Sequence, residues 1–170
     1  DQADREGINK AEASRRVRTF VQNIHHFRDE YLQDQRAPIE KVVVFDEAQR
    51  AWTKEQASKF MQTKRGQSGF SQSEPEFLIS VMNRHTDWCT VVCLIGGGQE
   101  INTGEAGLVE WLSALQESFP DWDVYASSLL DDRHYTVDGA AVELLQDDRV
   151  TKCPELHLSV SMRSFRAEKL

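Results

Sequence analysis

The sequence predicts an α/β protein whose strands form a mainly parallel sheet. Segments with helical spacing of apolar residues alternate with short apolar runs, as they do in parallel α/β proteins. Two of these runs, residues 41–45 and 89–95, are continuously apolar, which is typical of strands buried on both faces of a sheet. Helix-capping patterns lie between them. These features together favour an α/β fold over an all-α or all-β one.

The first half of the chain is predicted to begin with a helix over residues 14–33, started by Ser14 and carrying apolar residues at helical spacing. The run KVVVF at 41–45 is the first predicted strand. A capping box at residues 53–56 predicts a second helix that extends to about Thr63. The polar, Gly- and Ser-rich residues 64–73 predict a loop.

A third helix is predicted from residue 73, with Ser73 as the cap, Pro75 at the first helical position and Glu76 completing a capping box. Its predicted apolar face consists of Phe77, Leu78, Val81 and Met82.

The second half of the chain is predicted to follow the strand at 89–95 with a helix that ends before Pro120. The apolar residues of this helix are Leu108, Trp111, Leu112 and Leu115. A short strand at 123–126, a brief helix at 140–146 and a fourth strand at 155–160 complete the predicted elements. The fourth strand leads into the segment SMRSFR at 161–166.

Length and composition are those of one globular domain or a large part of one. The chain has 170 residues, 39% of them hydrophobic and 28% charged. It has neither an apolar run of about 20 residues nor an apolar h-region near its start, so we expect a cytoplasmic protein with its three cysteines reduced. The net charge of −8 argues against this segment being the main electrostatic footprint for nucleic acid.

Two carboxylates directly follow the first predicted strand. Asp46 and Glu47 would lie at the C-terminal edge of a parallel sheet, where α/β proteins bind ligands. The first acid is suited to hold Mg²⁺ directly or through water, and the second to orient and deprotonate an attacking water. Two adjacent acids also occur at solvated strand ends, but the full string VVVFDEAQ favours a functional pair.

Polar residues also follow two other predicted strands. The strand at 89–95 runs into GGGQE, in which Gly97 and Gly98 permit close approach of a ligand and Gln99 can bind a phosphate oxygen or the lytic water. A tight strand-to-helix turn is the structural alternative. Arg163, after the fourth predicted strand, could stabilise charge on a γ-phosphate, although an arginine at such a position is more often a surface residue.

These strings together resemble a known family. VVVFDEAQRAW, EPEFLISVMNRHTDW, CLIGGGQEINTGEAGLVEWL and SMRSFR resemble the schlafen-type (schlafen group 3-like) DNA/RNA helicase domain, a family of superfamily 1 helicase-like P-loop ATPases. The resemblance extends from about Val17 to the end of the chain. It implies a RecA-like three-layer sandwich with a mainly parallel sheet, ATP and Mg²⁺ as cofactors, and DNA or RNA as partner.

By position, the acidic pair resembles the Walker B residues, which implies Asp46 as the Mg²⁺ ligand and Glu47 as the catalytic base beside the metal. Gln49 is placed like the glutamine of helicase motif II. Gln99 resembles the motif III glutamine that senses the γ-phosphate. Arg163 is similar to the motif IV arginine, and Arg166 is a second candidate for that role.

The chain departs from the family pattern at one point. It contains no G-x-x-x-x-G-K-[ST] loop, the segment whose amides and lysine bind phosphates. In the family this Walker A loop lies upstream of the first helix, and a second RecA-like domain lies downstream. Residues 1–170 therefore resemble a partial RecA-like domain 1, from Walker B through motif IV and incomplete at its N-terminal (Walker A) end. We expect these residues alone not to hydrolyse ATP.

Two other interpretations remain open from sequence. The chain could be a non-catalytic RecA-like module that binds nucleic acid or a protein. It could also be a metal-dependent nuclease that uses Asp46, Glu47 and further acids such as Asp131 and Asp132.

Overall fold

The computed structural model describes residue 21 and residues 24–96, 107–130 and 139–158, and the structural statements that follow concern these residues. The first stretch forms helix α1, strand β1, a 3-10 turn, helices α2 and α3, and strand β2. Their bounds are Ile24–Gln33, Val42–Phe45, Ala48–Arg50, Lys54–Arg65, Glu74–Met82 and Thr90–Cys93.

The later stretches form helix α4, strand β3, helix α5, strand β4 and a second 3-10 turn. Their bounds are Gly107–Glu117, Val124–Ser127, Gly139–Leu144, Val150–Cys153 and Pro154–Leu156. None of the described helices is both long enough and apolar enough to cross a bilayer.

Strands β1 and β2 pair in parallel, which confirms the predicted parallel arrangement of these two runs. The register places Val42 beside Thr90 and Phe45 beside Cys93. Both strands therefore end at the same edge of the sheet. The acidic residues after β1 and the segment after β2 are neighbours for this reason.

The prediction that the first strand is buried on both faces was wrong. Val42 and Val44 are 50% and 59% exposed, whereas Val43 and Phe45 pack against the main core. The side chains of a strand alternate between two faces, and within the described residues only one face of β1 meets the helices. A continuous apolar run is compatible with burial of both faces of a strand. It does not show how many of those faces other elements pack against.

Strands β3 and β4 form a second parallel pair, with Val124 beside Val150. The predicted fourth strand at 155–160 was wrong for residues 155–158, and residues 159 and 160 lie outside the described part. The strand lies earlier, at Val150–Cys153, and Pro154 follows it as the start of a 3-10 turn. Proline has no N–H to donate to a ladder and a fixed φ, so it ends the strand.

The predicted caps of α2 and α3 are present. Thr53 Oγ1 accepts a hydrogen bond from the Gln56 N–H at 3.4 Å, and Ser73 Oγ accepts one from the Glu76 N–H at 3.2 Å. Helix α2 continues two residues beyond the predicted end, to Arg65, and Gly66 follows at φ 66°. In α3, Pro75 occupies the second helical position and not the first.

Two hydrophobic clusters meet at α4. The larger one is centred on α3, whose predicted apolar face is buried, and it includes Trp111 of α4. The smaller one joins Leu112 of α4 to β3 and to Leu145, just after α5. The described residues thus form a mixed α/β structure with two parallel two-stranded sheets and α4 between their cores.

Candidate functional site

The candidate site is the segment that follows β1, residues 46–52, which we call the acidic turn. Asp46 is exposed, and its Oδ1 accepts a hydrogen bond from the Glu47 N–H at 3.0 Å. Asp46 and Glu47 therefore stand next to each other at the C-terminal edge of the β1–β2 sheet, as the sequence predicts.

The backbone of Glu47 is in the left-handed region, at φ 53° and ψ 45°. Among the described residues Glu47 is the one residue other than glycine with a positive φ. This conformation costs an L-residue with a Cβ about 1–2 kcal/mol, so it persists only where the surrounding structure fixes it. Strain of this kind is common at functional sites.

Ala48 provides the first anchor of the acidic turn. Its N–H donates to the Leu94 carbonyl at 2.9 Å, just beyond β2, and its carbonyl accepts from Trp111 Nε1–H at 2.8 Å. Both bonds are made by a fully buried residue. The turn is thus held to the β2 end and to helix α4 immediately after Glu47.

Gln49 provides the second anchor and touches the catalytic candidate directly. Its Nε2 donates to Glu47 Oε2 at 2.8 Å, and its Oε1 accepts from the Gly96 N–H at 3.2 Å. Only an amide in this orientation gives each atom a suitable partner, because a carboxylate accepts and a backbone N–H donates. The side chain, 4% exposed, bridges the ends of β1 and β2.

The structure brings together Asp46, Glu47 and Gln49 of the predicted site. The other predicted residues, Gly97, Gly98, Gln99, Arg163 and Arg166, lie outside the described residues, so their place in the site stays a prediction. Asp131 and Asp132 of the nuclease hypothesis also lie outside them.

On the sequence-based prediction that Glu47 is the catalytic base of ATP hydrolysis, replacing Gln49 with leucine is expected to lower the kcat of the intact protein by about tenfold or more, with a smaller change in KM. The change frees the Glu47 carboxylate to rotate and leaves the Gly96 N–H without its partner, and small misplacements of catalytic groups are costly. Gln62→Leu on the exposed side of α2 is the matched control. Equal kcat values for the two variants would contradict this role for Gln49.

Two buried charged residues near the acidic turn were missed by the sequence analysis. Arg28 of α1 and Glu74 of α3 are 1% and 3% exposed, and Arg28 Nη1 lies 3.1 Å from Glu74 Oε1. Glu74 Oε2 also accepts from the Trp52 N–H at 2.9 Å. One signal was present in the sequence. Arg28 lies four residues after Ile24 and three before Tyr31, which places it on the apolar face of α1.

Burial perturbs both members of this pair. It raises the pKa of Glu74, an effect opposed by the Trp52 N–H and by Arg28. Burial likewise lowers the pKa of Arg28, and the Glu74 carboxylate opposes that effect. Each charge is thus maintained inside the protein by its partner.

His25 extends the pair toward the surface. Arg28 Nη2 lies 3.2 Å from His25 Nδ1, and because a guanidinium can only donate, this nitrogen accepts and the ring is neutral. The ring also contacts Trp52 and Phe60, with centroids at 4.6 and 5.4 Å. Burial first and Arg28 second lower the pKa of His25.

The lowered pKa of His25 predicts a loss of stability in acid. The unfolded chain takes up this proton near pH 6.5, whereas the folded protein does so only at lower pH. Stability from this group is therefore full above pH 6.5 and falls as pH drops from there through the folded-state pKa. The melting temperature of the wild type should decline more steeply below that pH than that of His25→Gln.

The neighbouring His26→Gln variant is the control for this comparison, since His26 is exposed. It should follow the wild type. Glu74, whose pKa is raised, acts in the opposite direction but is present in all three proteins. Parallel curves for the wild type and His25→Gln would show that His25 does not contribute.

The acidic turn fits the way proteins hold Mg²⁺ together with a nucleotide. Such sites use one or two carboxylates, while phosphates and waters provide the other ligands. Asp46 is exposed, and its Oδ2 makes no hydrogen bond within the described residues. Those residues contain no cluster of three or more His, Cys, Asp or Glu side chains that could hold a metal by themselves. Asp131 and Asp132 lie outside those residues, so the nuclease hypothesis stays a prediction.

Comparison with known proteins confirms the resemblance noted from the motifs. Residues 2–170 match the family described as Schlafen group 3, DNA/RNA helicase domain. No curated protein and no solved structure matches the chain. The family match spans nearly the whole chain and includes the acidic turn. The chain therefore belongs to the Schlafen group 3 DNA/RNA helicase domain family.

Proposed function

We propose that the chain is part of the ATPase core of an ATP-dependent DNA/RNA helicase or translocase, and that it supplies the acidic corner of the Mg²⁺-ATP site. Membership in the helicase domain family indicates a helicase-related role. The observation that carries the finer proposal is the acidic turn, in which Gln49 joins the Glu47 carboxylate to the end of β2.

In this proposal each residue of the turn has a separate task. Asp46 would hold Mg²⁺, directly or through water, and the ion would supply positive charge beside the phosphates. Glu47 accepts a proton from the attacking water at its carboxylate. Gln49 fixes the direction of that carboxylate through the bond to Oε2. The left-handed backbone of Glu47 is strain of the kind that is common at functional sites.

The remaining assignments follow from the family resemblance. Gly97, Gly98 and Gln99 would face the γ-phosphate, with Arg163, or Arg166 in its place, stabilising charge on it. An upstream Walker A loop would bind the other phosphates, and a second RecA-like domain would follow downstream. Within this proposal the described residues belong to a RecA-like sandwich in a cytoplasmic protein.

The test is ATP hydrolysis by the intact protein that contains this chain, measured with and without single-stranded DNA or RNA. We expect hydrolysis that depends on Mg²⁺ and increases when nucleic acid is added. Nucleic-acid binding without any hydrolysis would contradict the proposal and support the alternative, a non-catalytic RecA-like binding module.

The charge of the segment formed by the end of the acidic turn and helix α2 supports the nucleic-acid part of the proposal. Residues 50–65 contain five basic residues and one acidic residue, a net charge of +4 in a chain whose total is −8. Lys54, Lys59 and Lys64 of α2 are exposed, and their side chains make no ion pair or hydrogen bond within the described residues. Positive side chains of this kind are available for phosphates.

Replacing Lys54, Lys59 and Lys64 together with glutamine is expected to weaken the binding of single-stranded nucleic acid. Three lost phosphate contacts would also reduce the slope of log K against log salt by about 2. Arg36→Gln combined with Lys41→Gln is the control, because both residues lie before β1, away from the acidic turn, and form ion pairs. An unchanged slope in the triple variant would show that these three lysines do not contact the phosphates of the nucleic acid.

A further inference from the structure

We propose that Glu74 is a positioning residue for the acidic turn, and that Arg28 holds the Glu74 carboxylate in place. This inference rests on the proposed function, because the position of Glu47 matters only if Glu47 acts on water. It assigns a role to a buried pair that the assignments above do not use. Both side chains are buried, and Glu74 bonds to Trp52 of the turn while Arg28 bonds to Glu74, so both would act through the turn.

Glu74 makes two hydrogen bonds to Trp52, the last residue of the acidic turn. Its backbone N–H donates to the Trp52 carbonyl at 3.1 Å, and its side-chain Oε2 accepts from the Trp52 N–H at 2.9 Å. The peptide groups on both sides of Trp52 are thus fixed to the first residue of α3. Helix α3 is buried in the centre of the main core, which makes it a rigid support.

The acidic turn needs support at this end because its other end is strained. Glu47 is held in the left-handed region, and the turn would relax if its anchors were removed. Ala48 and Gln49 anchor the turn to β2 and α4, and Trp52 anchors it to α3. With one anchor lost, the Glu47 carboxylate is free to sample positions in which it does not activate water.

The two oxygens of Glu74 have separate partners, and this explains why a carboxylate occupies the position. Oε1 faces Arg28 and Oε2 faces Trp52. A glutamine has one acceptor atom, so beside Arg28 it would place its NH₂ group against one of the two donors. When Arg28 is also replaced, the glutamine can accept from Trp52 and point its NH₂ group toward His25 Nδ1, which lies 3.6 Å from Glu74 Oε1.

Two double variants separate positioning from packing. Arg28→Met with Glu74→Gln keeps an acceptor for the Trp52 N–H, whereas Arg28→Met with Glu74→Met removes it. Neither contains a buried charge at this site, and replacing a buried ion pair by neutral side chains is often tolerated. They differ only in the side chain at position 74, where glutamine offers the Trp52 N–H an amide oxygen and methionine does not, and the glutamine variant serves as the conservative rescue.

We expect the kcat for ATP hydrolysis by the intact protein to be at least about tenfold lower in the Met/Met variant than in the Met/Gln variant, with KM values that differ far less. Hydrogen exchange of the amides of residues 48–52 should be faster in the Met/Met variant. Equal kcat values and equal exchange in the two variants would overturn the inference. A wild-type protein that does not hydrolyse ATP would contradict the proposed function instead, and the exchange measurement would still test the position of the turn.

Discussion

Replacing Glu47 by glutamine is expected to reduce ATP turnover by the intact protein by a factor of about 10²–10⁴, while nucleotide binding survives. The amide keeps the size of the side chain and an oxygen that can accept from Gln49 Nε2. It removes the basic group, and general-base catalysis contributes on this order. Steady-state hydrolysis and the equilibrium binding of a fluorescent ATP analogue measure the two effects separately.

Glu55→Gln is the matched control for this substitution. Glu55 lies on the exposed side of α2, eight residues after Glu47, and its side chain makes no hydrogen bond or ion pair within the described residues. Its replacement removes the same charge from the same region and should leave turnover within about twofold of wild type. Turnover retained in Glu47→Gln would exclude Glu47 as the base, and loss of nucleotide binding would instead assign it a role in ground-state binding.

The single replacement Glu74→Met is expected to destabilise the described core by about 3–5 kcal/mol. It leaves the Arg28 guanidinium buried without its carboxylate, and arginine cannot escape this cost by losing a proton. Among the described residues Arg28 Nε has no hydrogen-bond partner, so the bond to Glu74 is a large part of the hydrogen bonding of this side chain. Hydrogen exchange of amides in α1 and α3 measures the change in local unfolding free energy.

An exposed ion pair gives the comparison. Arg36 Nη2 lies 2.6 Å from Asp34 Oδ2, but Arg36 is 87% exposed. Arg36→Gln should therefore change stability far less than Glu74→Met does, because solvent screens an exposed ion pair. If Arg36→Gln and Glu74→Met lowered the free energy of unfolding by similar amounts, burial of the Arg28–Glu74 pair would not be the cause of a larger contribution to stability.

The local elements of the fold could be predicted because their signals are local. Helices α2 and α3 begin at the predicted capping residues, since Thr53 and Ser73 bond to amides only three residues away. The parallel pairing of β1 and β2 follows from two apolar runs separated by helices. Strand β4 was misplaced because Leu156 and Leu158 alternate as strand residues do, yet both are exposed beyond Pro154.

The contacts that shape the acidic turn depend on residues far apart in the chain. The strand end and its two acids predict the place of Asp46 and Glu47. No local pattern predicts that Trp111 Nε1–H reaches the Ala48 carbonyl, or that Glu74, 22 positions beyond Trp52, binds its amide. The left-handed backbone of Glu47 could not be predicted either, because glycine or asparagine usually occupies such positions.

This backbone conformation gives position 47 two conflicting preferences. Its dihedral angles suit glycine or asparagine, whereas the proposed chemistry suits glutamate alone. Selection of variants for thermal tolerance and selection for turnover would therefore favour different residues at the same site. Under the proposed function, a more heat-resistant protein with glycine or asparagine at this position would turn over ATP poorly. In engineering this domain, position 47 should be held constant while stability is sought elsewhere.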